Sequence, residues 1–406
     1  MKRHPNRNRV AVLFVLAVGW AAWPLFTPLL HSIAAEDTSD ETAAANGSPA
    51  AFRTDADPDS DLPWFQLVDG EFPPEGSAHA FSGELIDVDH LERRFVLRVD
   101  RTDNQRRSHF DLPVESTMLP YGSIWYHGAP AALADIPLGT HLHGLFYEKD
   151  PQDPTSTVEG RHNRKSTEID FTRCFRLEDD FSRCRRLGQS WQIESVDLKE
   201  KLLSVRLVGE DGGVGESQTF DLQSSTRVWN GRQVVGPEDL SEGQEVLMNI
   251  TWATLYGPGR VLEIWIDEES RQLATDHQSR KHHEHVRERG LPGWVDEVDN
   301  HQRIVTVTFF GNVDPVLFEE LRQGDQAGVA VAKRNLQTYD PVNDRKRGPI
   351  LEVNRVPEAP GSSGVQIKIR PDLMLEGYRP DRIVRVYPSA WPVIALPLEQ
   401  QYFGRD

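Results

Sequence analysis

Three stretches of the chain align without a gap: residues 85–99 (LIDVDHLERRFVLRV), 193–207 (IESVDLKEKLLSVRL) and 295–309 (VDEVDNHQRIVTVTF). Each carries a central Asp (Asp89, Asp197, Asp299), with Val one residue before it (Val88, Val196, Val298) and a basic residue four after it (Arg93, Lys201, Arg303). Apolar residues then fall on alternate positions: Phe95, Leu97 and Val99; Leu203, Val205 and Leu207; Val305, Val307 and Phe309. Period two is the pattern of a strand with one buried face. The Asp starts the turn between two strands, where its carboxylate can accept the backbone amides that follow. A residue present in all three copies serves the scaffold, which argues against Asp89 and its equivalents as catalytic carboxylates.

The copies lie roughly a hundred residues apart, which is domain spacing rather than solenoid spacing. Copies one and two also share later features. His109-Phe110-Asp111-Leu112 matches Thr219-Phe220-Asp221-Leu222, and Gly139 before THLHGLFY matches Gly243 before QEVLMNITW. Each copy reads as four to five short strands, and closure into a barrel would remove exposed edges. The fold class expected is therefore all-β, mainly antiparallel: three tandem small OB-like or SH3-like barrels, with one long polar helix between the second and third. In copy three, residues 314–321 read as a helical turn, and strands are expected at 329–333, 365–370 and 383–387.

The expected boundaries are a signal peptide or signal anchor at 1–34, an acidic disordered linker at 35–62 and a first barrel at 63–150. A connector hairpin follows at 151–190, a second barrel at 191–266, a helix at 267–290 and a third barrel at 291–406. Lys2, Arg3, Arg7 and Arg9 precede 21 uncharged residues at 10–30, and Ser32-Ile33-Ala34 offers a small-x-small cleavage site. Cleaved, the segment is an export signal; retained, it spans a bilayer and anchors the chain to the inner membrane. Either way the body is placed outside the cytoplasm, in the periplasm or beyond. In the linker, eight acidic residues oppose Arg53 alone among small and polar residues, a composition that cannot bury enough surface to offset chain entropy. The whole chain carries 45 Lys and Arg against 63 Asp and Glu, a net charge of −18. That sign repels nucleic acid and anionic lipid, so neither is an expected partner. Membrane contact is expected only through the N-terminal segment, if uncleaved.

Cys174 and Cys184 are the chain's two cysteines. Pairing of residues 172–177 with 181–187 as a hairpin would set them opposite one another, and export permits a disulfide. Residues 267–289 predict one helix: Asp267 as N-cap, Glu268 and Glu269 in the first turn, Gly290 and Pro292 as the stop. Its apolar side is thin, which suggests a solvated spacer or a partner-facing element. It carries His277, His282, His283 and His285; His282 and His285, at i and i+3, are a candidate pair for a metal, and the run is a candidate for pH response.

The segments GELIDVD (83–89), LPYGSIWYHGAPAALADIPLGTHLHGLFY (119–147) and RGLPGWVDEVD (289–299) resemble a family of exported bacterial proteins with tandem small β-barrel domains. That family has no assigned activity, so the resemblance implies export and tandem β domains and supplies no catalytic residues.

Two function classes stay open. The first is an exported cell-envelope binding or scaffold protein, with a protein or polysaccharide as partner. Tyr121, Trp125, Tyr126 and Tyr147 would form an exposed aromatic row for ligand binding, with Trp229 and Trp252 in the second barrel. The second is a metal-dependent hydrolase with its site on the first barrel. No Gly-rich phosphate loop, Ser-His-Asp set, HExxH or CxxC appears, and no cofactor is implied beyond a divalent metal such as Zn²⁺. His141 and His143 sit at i and i+2 of a strand, so both side chains leave one face. His127 is the third candidate ligand and Glu148 a candidate carboxylate. Aligning Gly139 with Gly243 sets Glu245 at the place of His141 and Leu247 at that of His143. The scaffold therefore does not require the histidines.

Overall fold

The computed structural model describes residues 67–73, 78–100, 113–148, 169–210, 212–251, 259–339 and 345–391. The expected signal segment and linker lie outside the described residues, as does Trp252. The first sheet is made of β1 (Ala78–Asp89), β2 (Arg94–Val99), β3 (Pro113–Tyr126), β4 (Ala129–Pro130), β5 (His141–Glu148) and β6 (Ile169–Asp179). Its order is β2-β1-β5-β6-β3-β4, and a further pairing of β2 with β3 closes the ring. Every contact is antiparallel except that of β3 with β6, which is parallel. A short helix, α1 (Asp180–Arg186), follows β6 directly.

The second sheet repeats this plan. Its strands are β7 (Gln189–Asp197), β8 (Leu202–Gly209), β9 (Val214–Asn230), β10 (Gln233–Val235), β11 (Glu245–Thr251) and β12 (Arg260–Trp265). The order is β10-β9-β12-β11-β7-β8, closed by β9 with β8, and again one contact is parallel, β12 with β9. The long helix α2 (Glu268–Arg289) follows. The third sheet, of β13 (Leu291–Asp299), β14 (Ile304–Phe310), β15 (Gln326–Val331), β16 (Lys346–Arg355), β17 (Ser362–Ile369) and β18 (Ile383–Pro388), is a closed barrel in the order β13-β14-β17-β16-β15-β18. A 3-10 turn at Pro315–Glu320, capped by Asp314, stands where the helical turn is expected.

The three repeats form one hairpin three times. Leu85 pairs with Leu97, Ile193 with Val205 and Val295 with Val307, and each hairpin slips register at the next step, at Asp87, Ser195 and Glu297. Each central Asp accepts two turn amides through one carboxylate oxygen: Asp89 those of Leu91 and Glu92, Asp197 those of Lys199 and Glu200, Asp299 those of His301 and Gln302. The basic residue at the end of each turn is left-handed, with φ of 54° at Arg93, 58° at Lys201 and 58° at Arg303. That conformation costs an L-residue about 1–2 kcal/mol, so the turn is set by backbone bonding rather than by local preference.

Two expectations fail here. Residues 169–179 are not one arm of a connector hairpin. They form the fifth long strand of the first ring, and the chain then turns into α1 because Asp179 caps it by accepting the Ser182 amide at 2.9 Å. Cys174 therefore lies in the core of the first barrel and Cys184 in that of the second; both are free, and there is no disulfide between them. The same Asp-x-x-Ser cap opens α2, where Asp267 accepts the Ser270 amide. Each helix also seats apolar groups in the barrel that follows it. Phe181 and Cys184 of α1 enter the second core and Val286 of α2 enters the third. Burying a ring such as Phe181, 0% exposed, is worth about 2–3 kcal/mol.

Helix α2 occupies the range expected of it but is not a solvated spacer. Thr275 donates to the His127 carbonyl and Gln278 to the Pro130 carbonyl and Asp135, on the first barrel. Arg271 reaches the Glu245 carbonyl on the second, and His283 and Arg287 pair with Asp314 and Glu320 on the third. Its polar residues bond to the chain's own three barrels. Among the described residues no helix is long and apolar enough to cross a membrane.

Candidate metal centre

Strand β5 starts after the turn at Gly139, whose φ of 90° a side chain would strain. Its alternation sends Leu142 and Phe146 into the first barrel's core and His141 and His143 out through the wall. That outer face is covered rather than solvated. His141 is 4% exposed and His143 stays half-buried. The cover is α1. Leu142 pairs with Asp179 at the end of β6, so the next residue, Asp180, places its carboxylate over the histidines.

Asp180 Oδ1 lies 2.8 Å from His141 Nδ1 and 2.9 Å from His143 Nε2. Its other oxygen accepts the Ile250 amide of β11, and the Phe181 amide bonds the Asn249 side chain beside it. On the far side of His141, Nε2 meets Asp100 Oδ2 at 2.8 Å, and the same oxygen accepts the Ser82 hydroxyl at 2.7 Å. One donor atom each from His141, His143 and Asp180 lie within 4.8 Å of one another. They are two imidazoles and a carboxylate, a donor set suited to Zn²⁺ and related ions.

Burial opposes charge on His141, but the carboxylates of Asp180 and Asp100 overcome it and raise its pKa to about 10. Burial lowers that of His143; the bond to Asp180 opposes this, and the His141 charge adds to the lowering. Burial likewise pushes Asp180 up, yet the two histidines hold it well below the usual carboxylate range. A divalent ion between the two imidazoles would take the place of the His141 proton and meet the Asp180 carboxylate directly.

The other sequence candidates lie elsewhere. His127 is not part of the cluster: its ring stacks on Tyr126 at 3.8 Å and its Nε2 faces Glu263 at 3.4 Å, while its amide bonds Asp179. The side chain of Glu148 lies outside the described residues. Among the described residues no group of three metal donors includes His282 or His285, and His282 Nε2 accepts the Asp314 amide. The aromatic residues form no exposed row. Tyr121 and Tyr147 are buried in the cluster that also holds Phe175, Trp294 and Phe310, and Tyr126 is buried in the first core. Trp125 is half-buried with the Arg176 guanidinium 5.3 Å from its ring centre. Trp229 is half-buried and donates to Glu263.

Asp100 and Asp180 are the two site residues that sequence reasoning missed. Asp100 had a signal: one place past the aligned repeat it stands where Val208 and Phe310 stand in the other copies. Like His141 and His143, it departs from the repeat. Asp180 comes to the site only through the topology that brings β6 beside β5. No family model, curated protein or solved structure matches the chain.

Proposed function

We propose that this is an exported binding or scaffold protein of the cell envelope, built from tandem small barrels, in which a divalent metal ion such as Zn²⁺ clasps the first barrel to the second. His141, His143 and Asp180 are its ligands and Asp100 positions His141. One observation carries the reading: β5 of the first barrel and the start of the helix that plugs the second present three converging donors, and a carboxylate holds the far nitrogen of one of them. A carboxylate behind a ligating imidazole is the usual outer-shell partner at metal sites. The burial of His141 and Asp180 between the two barrels favours a structural ion over a catalytic one. The ring order first-second-third-fifth-fourth, with its parallel third-to-fifth contact, supports an OB-type rather than SH3-type barrel for the first two domains. The basic start and the apolar segment 10–30 support export. The partner proposed is a protein or polysaccharide of the envelope, met by surfaces other than the buried tyrosines.

Calorimetric titration of Zn²⁺ into the chelator-treated full chain tests the ion. One saturable site is expected, lost in the His141→Ala, His143→Ala double variant while circular dichroism stays unchanged. Absence of binding to the wild-type chain would leave the cluster as an ion-paired staple between barrels. The side chain of His143, 20% exposed, favours a second reading, a metal-dependent hydrolase whose ion keeps one position for water. Ester or phosphoester turnover that Asp180→Asn abolishes would select it.

A further inference from the structure

A cavity of about 360 Å³ opens between the first barrel, α2 and the third barrel, away from the histidine pair. Its wall carries three arginines: Arg93 from the first hairpin turn, Arg289 from the end of α2 and Arg385 from β18. Among the described residues of the wall, Glu288 is the one carboxylate. Arg93 donates to the carbonyls of Pro120 and Gly122, and Arg385, 7% exposed, to those of Leu336 and Gly290. Carbonyl oxygens satisfy N–H groups but do not neutralise charge, and a buried charge without a counter-charge is costly. Burial, together with the charge of Arg385, pulls Arg93 down to about 9. Burial, then the charges of Arg289 and Arg385, holds His285 well below its ordinary value. All this sits in a chain of net charge −18, so the positive field is local to this wall.

Two further groups face the cavity with bonds unmade. His282 is 3% exposed, and since its Nε2 accepts the Asp314 amide, the ring proton is assigned to Nδ1, which has no partner. Asn312 gives its amide protons to the Pro120 and Gly122 carbonyls, and its buried Oδ1 has no donor. The wall thus offers guanidinium charge, one spare imidazole donor and one spare amide acceptor. The repeat shows that the scaffold does not need this: the equivalent of Arg93 in the second barrel, Lys201, is exposed, and in the third, Arg303, lies at the surface.

We propose that this cavity is a binding site for a small oxyanion that also carries a hydroxyl group, a phosphate monoester or a hydroxycarboxylate. The anion accepts from Arg93, Arg385 and His282 Nδ1, and the hydroxyl donates to Asn312 Oδ1. The site stands apart from the metal reading and survives its failure.

The test titrates the full chain calorimetrically with inorganic phosphate, glycerol 3-phosphate, malate and, as uncharged control, glycerol. Saturable binding of glycerol 3-phosphate or malate is expected, stronger than that of inorganic phosphate, with none for glycerol. Preference between the two organic anions names the source. Arg93→Gln and Arg385→Gln should each weaken binding by about tenfold or more, the loss of a charge-assisted bond. Should either variant fail to fold, Ala132→Glu decides: it adds a carboxylate at a half-buried lining position and leaves every arginine in the sequence, and must abolish binding. No saturable binding of any anion, equal binding of glycerol, or binding unchanged by Ala132→Glu would overturn the proposal.

Discussion

Asp100 Oδ2 sits 2.8 Å from His141 Nε2, on the side of the ring opposite Asp180. The bond fixes the ring so that Nδ1 points at the Asp180 carboxylate and toward His143. Asp100 is itself held, since the Ser82 hydroxyl donates to the same oxygen and the Asp100 amide donates to the Ser82 carbonyl. Asp100→Asn keeps the shape but weakens this hold. Zn²⁺ affinity, measured by competition with a chromophoric chelator, should fall by about 10–100-fold with the melting curve of the metal-free chain little changed. Unchanged affinity would remove Asp100 from the site.

Cys174 and Cys184 should both be thiols in protein isolated without reductant. Burial pushes the Cys174 thiol far up, and burial with the Asp180 charge pushes Cys184 to about 12. In the folded chain both should resist iodoacetamide, because the thiolate is the reactive form. After denaturation without reductant, mass spectrometry should find two alkylated cysteines. A bridged 174–184 peptide would contradict the separate cores.

At the second hairpin turn the scaffold can be tested away from any site. Lys201 is exposed and left-handed, so Lys201→Gly should raise stability by about 1 kcal/mol in urea unfolding. Asp197→Ala, losing two amide bonds at an exposed turn, should lower it by about 1 kcal/mol. Arg93→Gly, at the matching place in the first turn, should show no such gain, because it also gives up two carbonyl contacts. A gain there equal to that at Lys201 would mean that the two carbonyl contacts of Arg93 add nothing to stability.

Asp267 caps the helix that ties the three barrels together. Burial raises its pKa, but the Ser270 amide and hydroxyl and the Gly231 amide lower it further, leaving it below the ordinary 3.8. A depressed folded-state value means the cap's contribution is complete above pH 3.8 and is lost as pH falls through the folded value. Asp267→Ala should therefore cost about 1 kcal/mol at pH 7, and the gap from wild type should narrow below pH 3.8. A gap that stays constant to pH 2.5 would mean the carboxylate is not the capping group.

The hairpins were legible because their signal is local. Period-two alternation and an Asp before a turn depend on neighbours in the chain, and the structure keeps even the register slip in all three copies. β16 escaped because Pro349 and a register slip between Ile350 and Glu352 break its alternation. The spacing of Cys174 and Cys184 suggests a bridged hairpin, which hides the long strand β6. The Asp-x-x-Ser pattern shared by residues 179–182 and 267–270 was the available sign that a helix begins there. At the site, departures from the repeat pointed to His141 and His143 and would have pointed to Asp100. Asp180 had no such marker, since its place depends on β6 lying between β5 and β3, a long-range pairing.

Anomalous diffraction at the zinc edge, from crystals of the chelator-treated full chain given one equivalent of Zn²⁺, tests the central claim most directly. The account predicts one principal peak, about 2.0–2.2 Å from His141 Nδ1, His143 Nε2 and an Asp180 oxygen, with Asp100 still bonded to His141 Nε2. A map without that peak, with His141 still bonded directly to both Asp100 and Asp180, would contradict it.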